Sequence, residues 1–295
     1  MTGNRTQATA VLSLLAGAMV WGLIWYPYRV LRDAGIDGIL ASTLTYAVAF
    51  VVGSLFFWPA LRAWKCTRGD YEKLLWLAVS AGACNLGYVL ATLHGEVVRV
   101  LLLFYLAPLW TVLLSALFLG ERLDRLGAFI VGLASAGAVT ILWHPGAGLP
   151  IPRDVADWLG LGAGFSFALF NVLSRYTGDV PIEVKSMVSF AGVVLVGTVL
   201  LWLGFGASSF PGGAGAWGLL GLIGLVLMVI NLVVQYGLSH LAANRAIVIM
   251  LTEVGFAALS AWVLAGEAFG WQETLGGTMI MAASVFSAKM QTESS

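Results

Sequence analysis

The chain has 295 residues, of which 60% are hydrophobic and only 10% are charged, and its mean hydropathy is +0.92. Soluble domains carry about a quarter charged residues, and a soluble chain of this length could not bury so much apolar surface. The 15 basic and 15 acidic residues leave no net charge and form no basic patch, which excludes nucleic acid as a partner. Lipid is therefore the solvent for most of the chain.

Apolar runs of about 20 residues recur along the sequence, each long enough to cross roughly 30 Å of hydrocarbon as a helix. Backbone polar groups in lipid must pair within their own segment, so these runs are predicted to be helical. The pattern predicts an all-α integral membrane protein with ten spans, at residues 8–31, 37–60, 72–93, 97–119, 124–143, 155–177, 183–205, 215–239, 244–265 and 269–289. The Gly/Pro-rich stretches 144–154 and 205–213 are predicted loops.

The basic residues fall unevenly on the two sides that these spans define. If the N-terminus is cytoplasmic, the inner side holds Arg5, Arg62, Lys65, Arg68, Lys73, Arg122, Arg125, Arg175, Lys185, Arg245 and Lys289. The outer side then holds only Arg29, Arg32, Arg99 and Arg153. By the positive-inside rule, this asymmetry places both termini in the cytoplasm. The first span is too long and too aromatic for a signal peptide, so we expect it to be retained.

The sequence repeats its rare polar residues at a constant offset of 146 positions. The matching pairs are Arg29 and Arg175, Asp33 and Asp179, Asn85 and Asn231, His94 and His240, Arg99 and Arg245, and Gly120-Glu121 and Gly266-Glu267. This pattern predicts a duplicated five-helix unit, at residues 1–146 and 147–295. Because five is odd, the second copy must be inverted in the membrane. Inverted repeats are typical of secondary transporters, whose substrate site lies where the repeats meet.

Two stretches carry a resemblance to a known family. The stretch 97–123, "VVRVLLLFYLAPLWTVLLSALFLGERL", is similar to the fourth helix of the EamA family of the drug/metabolite transporter superfamily. The stretch 14–25, "LLAGAMVWGLIW", resembles the first helix of that family. The resemblance implies ten helices around a central cavity, alternating access and a bacterial inner-membrane location. Within the family the chain looks most like YddG-type exporters, which implies aromatic amino acids as substrates.

The proline of the fourth span has no counterpart in the second copy. Pro108 is predicted to bend the span, because proline removes a helical hydrogen bond and its ring crowds the preceding turn. The position 146 residues later is Val254. Identical gating in the two halves is therefore not implied.

Amide side chains inside the spans are the first candidates for substrate contact. Asn85 and Tyr88 are three residues apart in the third span, and Asn231 and Gln235 are four apart in the repeat-related eighth span. Unpaired amides in hydrocarbon are costly, so these groups must face a cavity or another helix. They either bridge helices or bind the amine and carboxylate of a substrate. Asn171, in the sixth span, is a further cavity candidate.

Charged residues give a second set of candidates. Glu253 is the only acid well inside a predicted span, and its repeat counterpart is Ala107. It could carry a proton, bind a substrate amine, pair with a buried arginine, or serve only as a structural carboxyl. Arg99 and Arg245 stand near span starts. They could anchor the helix at the interface, close a gate or meet a carboxylate.

Aromatic residues could line a pocket that stacks on substrate rings, or simply pack between helices and against lipid. The candidates are Trp21, Trp25, Tyr105, Trp110, Phe165 and Phe167. Of these, Trp21 and Phe167 are repeat mates, which favours them as pocket residues.

The sequence contains no P-loop, no H-E-x-x-H motif, no nucleophile elbow and no dinucleotide fingerprint. We therefore expect neither a cofactor nor a metal, and an intramembrane enzyme is disfavoured because Glu253 has no neighbouring acid. The chain is predicted to be a secondary transporter that exports small amphipathic metabolites, foremost aromatic and large apolar amino acids. A multidrug or other-metabolite exporter and a facilitative uniporter are the alternatives. Proton coupling and a homodimer are left open.

Overall fold

A computed structural model describes residues 2–67, 69–120, 125–143, 151–177, 180–206, 213–241, 249–268 and 270–293. Within these ranges every regular element is a helix. The α-helices are α1 Thr2–Leu23, α2 Trp25–Asp33, α3 Gly38–Phe56, α4 Trp58–Ala63, α5 Asp70–His94, α6 Val97–Phe104, α7 Ala107–Phe118, α8 Arg125–Leu142, α9 Val155–Tyr176, α10 Ile182–Trp202, α11 Ala214–His240, α12 Thr252–Ser260 and α13 Trp271–Glu293. A π-helical turn, Ala261–Ala265, continues α12.

Eight helical segments among the described residues are long and apolar enough to cross a membrane, and they coincide with the first eight predicted spans. A shorter apolar helix, Thr252–Ala265, lies within the ninth predicted span, and α13 lies at the tenth. The prediction of an all-helical integral membrane protein is confirmed. The large apolar side chains that face outward fit lipid as solvent: Trp202 is 83% exposed, Leu117 75% and Leu55 73%.

Local sequence explains several helix ends. Asp37 begins α3, because its carboxylate accepts a hydrogen bond from the Ile39 backbone N–H at 2.8 Å. Asp154 begins α9 in the same way, accepting from the Asp157 N–H at 2.9 Å. The fourth span is interrupted at Tyr105 and Leu106, and Pro108 lies in the first turn of the new helix, α7. Proline is well tolerated at that position, where no intrahelical N–H bond is lost.

Small residues allow the closest approaches between helices. A Cβ added at Gly22 of α1 would lie 2.8 Å from the Glu253 carbonyl oxygen, so α1 and α12 are in backbone contact there. A Cβ at Gly164 of α9 would lie 3.1 Å from the Phe104 Cα, so α9 approaches α6 equally closely. Glycine at these positions lets backbones meet, as is common in membrane helix packing.

The helices pack in a regular pattern around the core. Helix α1 packs on α11 and α12, whereas α9 packs on α5, α6 and α7. Helix α3 packs on α10 and α11, α5 packs on α10, and α8 packs on α13. The two ends of the bundle differ in chemistry. We call the end that holds Arg29, Arg99 and Glu267 the charged end, and the opposite end, where α3 reaches Phe57, the cavity end.

Candidate functional site

An interior carboxylate is the centre of the candidate site. Glu253 lies in the first turn of α12, and the Tyr105 hydroxyl donates a hydrogen bond to its Oε2 atom at 2.9 Å. Tyr105 can reach it because the fourth span is interrupted at this residue. The second carboxylate oxygen, Oε1, has no hydrogen-bond partner in the described part of the chain. Glu253 thus keeps one oxygen available for a further donor.

Aromatic rings cluster around Tyr105, the residue that binds this carboxylate. The Phe104 ring centroid lies 5.5 Å from that of Tyr88, 5.8 Å from that of Tyr105 and 5.2 Å from that of Phe167. The Tyr88 side chain is 9% exposed, and its buried hydroxyl has no hydrogen-bond partner. We call Tyr88, Phe104, Tyr105, Phe167 and Glu253 the interior site.

Several polar side chains line a cavity at the cavity end. This cavity has a volume of about 400 Å³ and lies between the last turns of α11 and the first turns of α10. Its polar lining comes from Glu183, Ser186, Asn231 and Gln235. Asn231 Oδ1 accepts a hydrogen bond from the Ser186 hydroxyl at 3.2 Å, which leaves its amide NH₂ group available to the cavity. The cavity therefore offers acid and amide groups to a solute.

Asn85 is not arranged like its repeat mate. Its Oδ1 accepts from the Ser42 hydroxyl at 2.9 Å, and its Nδ2 donates to the Tyr46 hydroxyl at 2.8 Å. Both ends of the amide are thus used to join α5 to α3. Of the two interpretations that the sequence left open, this geometry supports the bridging one for Asn85.

The charged end holds a buried ion pair, beside a cavity of about 260 Å³. Arg99 of α6, which is 5% exposed, donates from Nε and Nη2 to the two carboxylate oxygens of Asp157 at 2.7 and 2.8 Å. Its Nη1 donates to the Ile141 carbonyl at 2.8 Å and lies 3.7 Å from Glu273. Arg99 therefore meets a carboxylate rather than reaching water at the interface. Its repeat mate Arg245 lies outside the described residues.

A second ion pair lies at the same end. Glu267 accepts a hydrogen bond from the Val97 backbone N–H at 2.8 Å and pairs with Arg29 at 3.3 Å. The carboxylate therefore sits at the N-terminus of α6, where the helix dipole favours a negative charge. Arg29 also donates to the Thr92 and Gly95 carbonyls, so it joins α2 to the end of α5.

One aromatic candidate is deeply buried. Of the two interpretations of Trp25, pocket lining and packing between helices, the geometry supports packing, because its side chain is 1% exposed and its Nε1 donates to the Ser260 hydroxyl at 3.0 Å. The ring is buried because α2 continues the first span against α12, so Trp25 joins these helices. Trp21 and Asn171 are half-buried, and Trp21 packs against the core.

Several residues of the site were not singled out from the sequence. Asp157 stands three residues after a helix-capping aspartate, so it looks like an ordinary acid at a helix start. Glu183 occupies a similar place at the start of α10. Ser42 and Tyr46 give no signal, because single hydroxyls are common in membrane helices. Only their spacing of four residues, which puts them on one helix face, could have paired them.

The described residues form eight helices long and apolar enough to cross a membrane, a polar interior site and ion pairs at one end, which is the architecture of a solute transporter. The chain belongs to the EamA-like transporter family, whose sequence profile matches residues 8–143 and again residues 155–288. The predicted resemblance is confirmed. The chain is thus a multi-pass membrane protein of this transporter family, within the drug/metabolite transporter superfamily.

Curated relatives agree with this class. Protein RarD of Salmonella typhi is 29% identical over 178 residues, which are 59% of this chain and 58% of RarD. A probable terminal-alkyne amino-acid exporter of Streptantibioticus cattleyicolor is 27% identical over 202 residues, 63% of this chain and 62% of the relative. The chain thus spans less than two thirds of the length of these relatives. A solved crystal structure, 17% identical, matches with a TM-score of 0.57 over 96% of this chain and 97% of its own.

Proposed function

We propose that the chain is a secondary transporter that exports small amphipathic metabolites, with aromatic and large apolar amino acids as the preferred substrates. The observation that carries this proposal is the interior site: a carboxylate held by Tyr105 among aromatic rings. An intramembrane carboxyl is costly and marks a substrate or ion pathway in most membrane proteins. Rings around it favour a substrate with an apolar ring of its own.

Two inverted five-helix units, residues 1–146 and 147–295, make up the proposed ten-helix architecture. Two paired features support this arrangement. Gly120 and Gly266, which are repeat mates, both end helices in the left-handed region, each with φ +68°. His94 and His240 both bond the carbonyl four residues earlier through Nδ1, each at 2.8 Å. Related geometry at related positions is what a duplicated unit predicts.

Helix packing supports the same proposal. The first span, α1, contacts the ninth span, α12. Their repeat mates are the sixth span, α9, and the fourth span, α6 with α7, and these are also in contact. Likewise α5 packs on α10, and the repeat-related pair α11 and α3 also packs. These exchanged contacts are expected of two halves related by a pseudo-two-fold axis.

The difference between the two ends supports alternating access. The charged end holds the pairs Arg99–Asp157 and Arg29–Glu267 beside a cavity of about 260 Å³, and the opposite end has the larger cavity of about 400 Å³. The excess of basic residues favours an orientation with the cavity end and both termini in the cytoplasm, in a bacterial inner membrane. In this proposed orientation the larger cavity faces the side from which an exporter takes its substrate. Substrate binding would then break the pairs at the charged end.

The substrate proposal has support beyond the residues. The Streptantibioticus relative is named as a probable terminal-alkyne amino-acid exporter. Other exporter substrates of the same fold, or a uniporter driven by the substrate gradient alone, are the alternatives. Protons are the proposed coupling ion, because Glu253 is a carboxyl in the interior of the membrane. A homodimer is compatible with the large apolar outer surface.

The test is efflux from proteoliposomes loaded with labelled amino acids, with and without an imposed pH gradient. We expect phenylalanine, tyrosine, tryptophan and leucine to leave faster than from protein-free liposomes, and unchanged in structure. A chemically altered product would instead show an enzyme. Efflux of the whole panel at the protein-free rate would contradict the substrate proposal. Efflux that ignores the pH gradient would favour the uniporter.

A further inference from the structure

We infer that the interior site recognises the ammonium group of its substrate and makes no favourable contact with a substrate carboxylate. This inference rests on the proposed function and names the substrate class more narrowly, as aromatic primary amines, with or without a carboxyl group. Glu253 supplies the negative charge, and the rings of Tyr88, Phe104 and Phe167 supply the apolar surface.

The available hydrogen-bonding groups fit an ammonium. A primary ammonium has three N–H donors and no acceptor. Glu253 Oε1 is an acceptor without a partner among the described residues, and the Tyr88 hydroxyl is buried without one. A buried hydroxyl left unpaired costs free energy, so a ligand that pairs with it gains affinity. Aromatic faces such as that of Phe104 add an attraction for a cation.

Arg99, Arg29 and Lys185 are engaged elsewhere. Arg99 is paired with Asp157, and Arg29 is bound to Glu267 and to backbone carbonyls of α5. Lys185, near the cavity, donates its ammonium to the Ser174 carbonyl at 2.7 Å. In the ranges that the structure covers, no arginine or lysine contacts the interior site. A substrate carboxylate there would face Glu253 without a compensating cation, which is unfavourable.

The cavity has the same polarity. Its polar lining includes the carboxylate of Glu183 and the amides of Asn231 and Gln235, and none of the described residues that line it is basic. A solute that carries a positive charge is therefore favoured both at the interior site and at the cavity. A neutral amide can serve either end of a zwitterion, but a carboxylate favours only the ammonium.

Three compounds with the same ring separate these contributions: L-phenylalanine, phenethylamine and 3-phenylpropionate. Each competes with labelled phenylalanine for transport in proteoliposomes, and its binding is followed by thermal stabilisation of the purified protein. We expect phenethylamine to match phenylalanine within about tenfold, and 3-phenylpropionate to be at least about tenfold weaker than both, as for the loss of a charged hydrogen bond. A 3-phenylpropionate that equals or exceeds phenethylamine would overturn the inference while the transport proposal stands.

Binding without transport would support amine recognition and reject amino-acid transport. If phenylalanine and phenethylamine stabilise the protein but neither crosses the membrane, the inferred preference for amines holds. The proposal that the protein transports amino acids is then rejected. If none of the three compounds binds or moves, both are rejected.

Two variants test whether Glu253 and Tyr88 are responsible for the preference for amines. Glu253→Gln removes the charge but keeps the size, and we expect it to lower phenethylamine affinity at least about tenfold. Tyr88→Phe removes only the unpaired hydroxyl and should weaken amine binding without affecting folding, so it tests the site if Glu253→Gln does not fold. The matched control is Glu72→Gln, an exposed acid at the start of α5. Unchanged amine affinity in both interior variants would overturn the inference.

Discussion

Arg99 and Asp157 form a buried ion pair with two hydrogen bonds, at 2.7 and 2.8 Å, between α6 and α9. The two residues come from different halves of the chain, so the pair ties the halves together at the charged end. Asp157 also accepts from the Arg153 backbone N–H at 2.8 Å. Such a pair fixes one arrangement of the helices, because breaking it leaves a charge in a poorly solvated place.

Replacing one partner of this pair should destabilise the protein strongly. We expect Asp157→Asn to lower the free energy of unfolding by about 3 kcal/mol, because Arg99 remains charged and buried. The double variant Arg99→Met/Asp157→Leu should recover much of that loss, since no charge is left unpaired. Thermal unfolding in detergent measures both.

The control for this prediction is the exposed pair Arg32–Asp33, whose atoms lie 3.5 Å apart and whose side chains are 42% and 72% exposed. Exposed pairs contribute little, so Asp33→Asn should change stability by well under 1 kcal/mol. Equal losses for Asp157→Asn and Asp33→Asn would show that the buried pair has no special role.

The contact of α1 with α12 predicts an effect of side-chain size. A Cβ at Gly22 would lie 2.8 Å from both the Glu253 carbonyl oxygen and the Phe256 Cβ. Gly22→Ala should therefore cost about 1–3 kcal/mol through overpacking. At Gly162 of α9, nothing lies within 4 Å of an added Cβ, so Gly162→Ala should be neutral or stabilising there. A Gly22→Ala protein as stable as Gly162→Ala would contradict the close approach.

The two repeated asparagines should behave differently. Asn85→Ala leaves the hydroxyls of Ser42 and Tyr46 without their partner, so we expect a loss of about 1–3 kcal/mol in stability and normal transport by the folded fraction. Asn231→Ala, at the cavity wall, should instead weaken substrate binding with a small effect on stability. Transport kinetics and thermal unfolding, measured on the same preparations, distinguish a structural role from a role in substrate binding. Weakened binding in Asn85→Ala would return that residue to the substrate site.

The membrane orientation can be tested with a native thiol. Cys66 is exposed in the connection between α4 and α5, on the side assigned to the cytoplasm. We expect it to resist an impermeant maleimide in intact cells, and a Cys66→Ser/Ser294→Cys variant to resist it as well. Trp143, 46% exposed at the end of α8, gives the positive control as Trp143→Cys in the Cys66→Ser background. Rapid labelling at residue 66 or 294 would reverse the proposed orientation.

The helices were predictable from sequence, because an uncharged apolar run in lipid has no other way to satisfy its backbone. The partners of the polar residues were not. Asn85 and Asn231 look alike in sequence, yet one is bonded on both sides and the other faces a cavity. Their difference depends on Ser42 and Tyr46, which lie about 40 positions away. Likewise, nothing local to Arg99 shows that Asp157 will reach it across the bundle.

For Glu253, the importance of the residue was predictable from sequence but its partner was not. Its isolation in an apolar run made it a functional candidate, and its neighbour in space, Tyr105, was named only as one of six aromatic candidates. The hydrogen bond between them depends on the break in the fourth span, which brings Tyr105 to the end of α6. The sequence signalled that break through Pro108 but gave no sign of which helix Tyr105 would face.

Counterflow tests the central claim, transport by a carrier with alternating access, most directly. Proteoliposomes are preloaded with unlabelled phenylalanine and diluted into a trace of labelled phenylalanine. A carrier that exposes one site to each side in turn predicts a transient accumulation of label above the equilibrium level, which should shrink as the preloaded phenylalanine is reduced. Entry of label that never exceeds equilibrium would show a channel or leak, and no entry above the protein-free rate would contradict phenylalanine transport altogether.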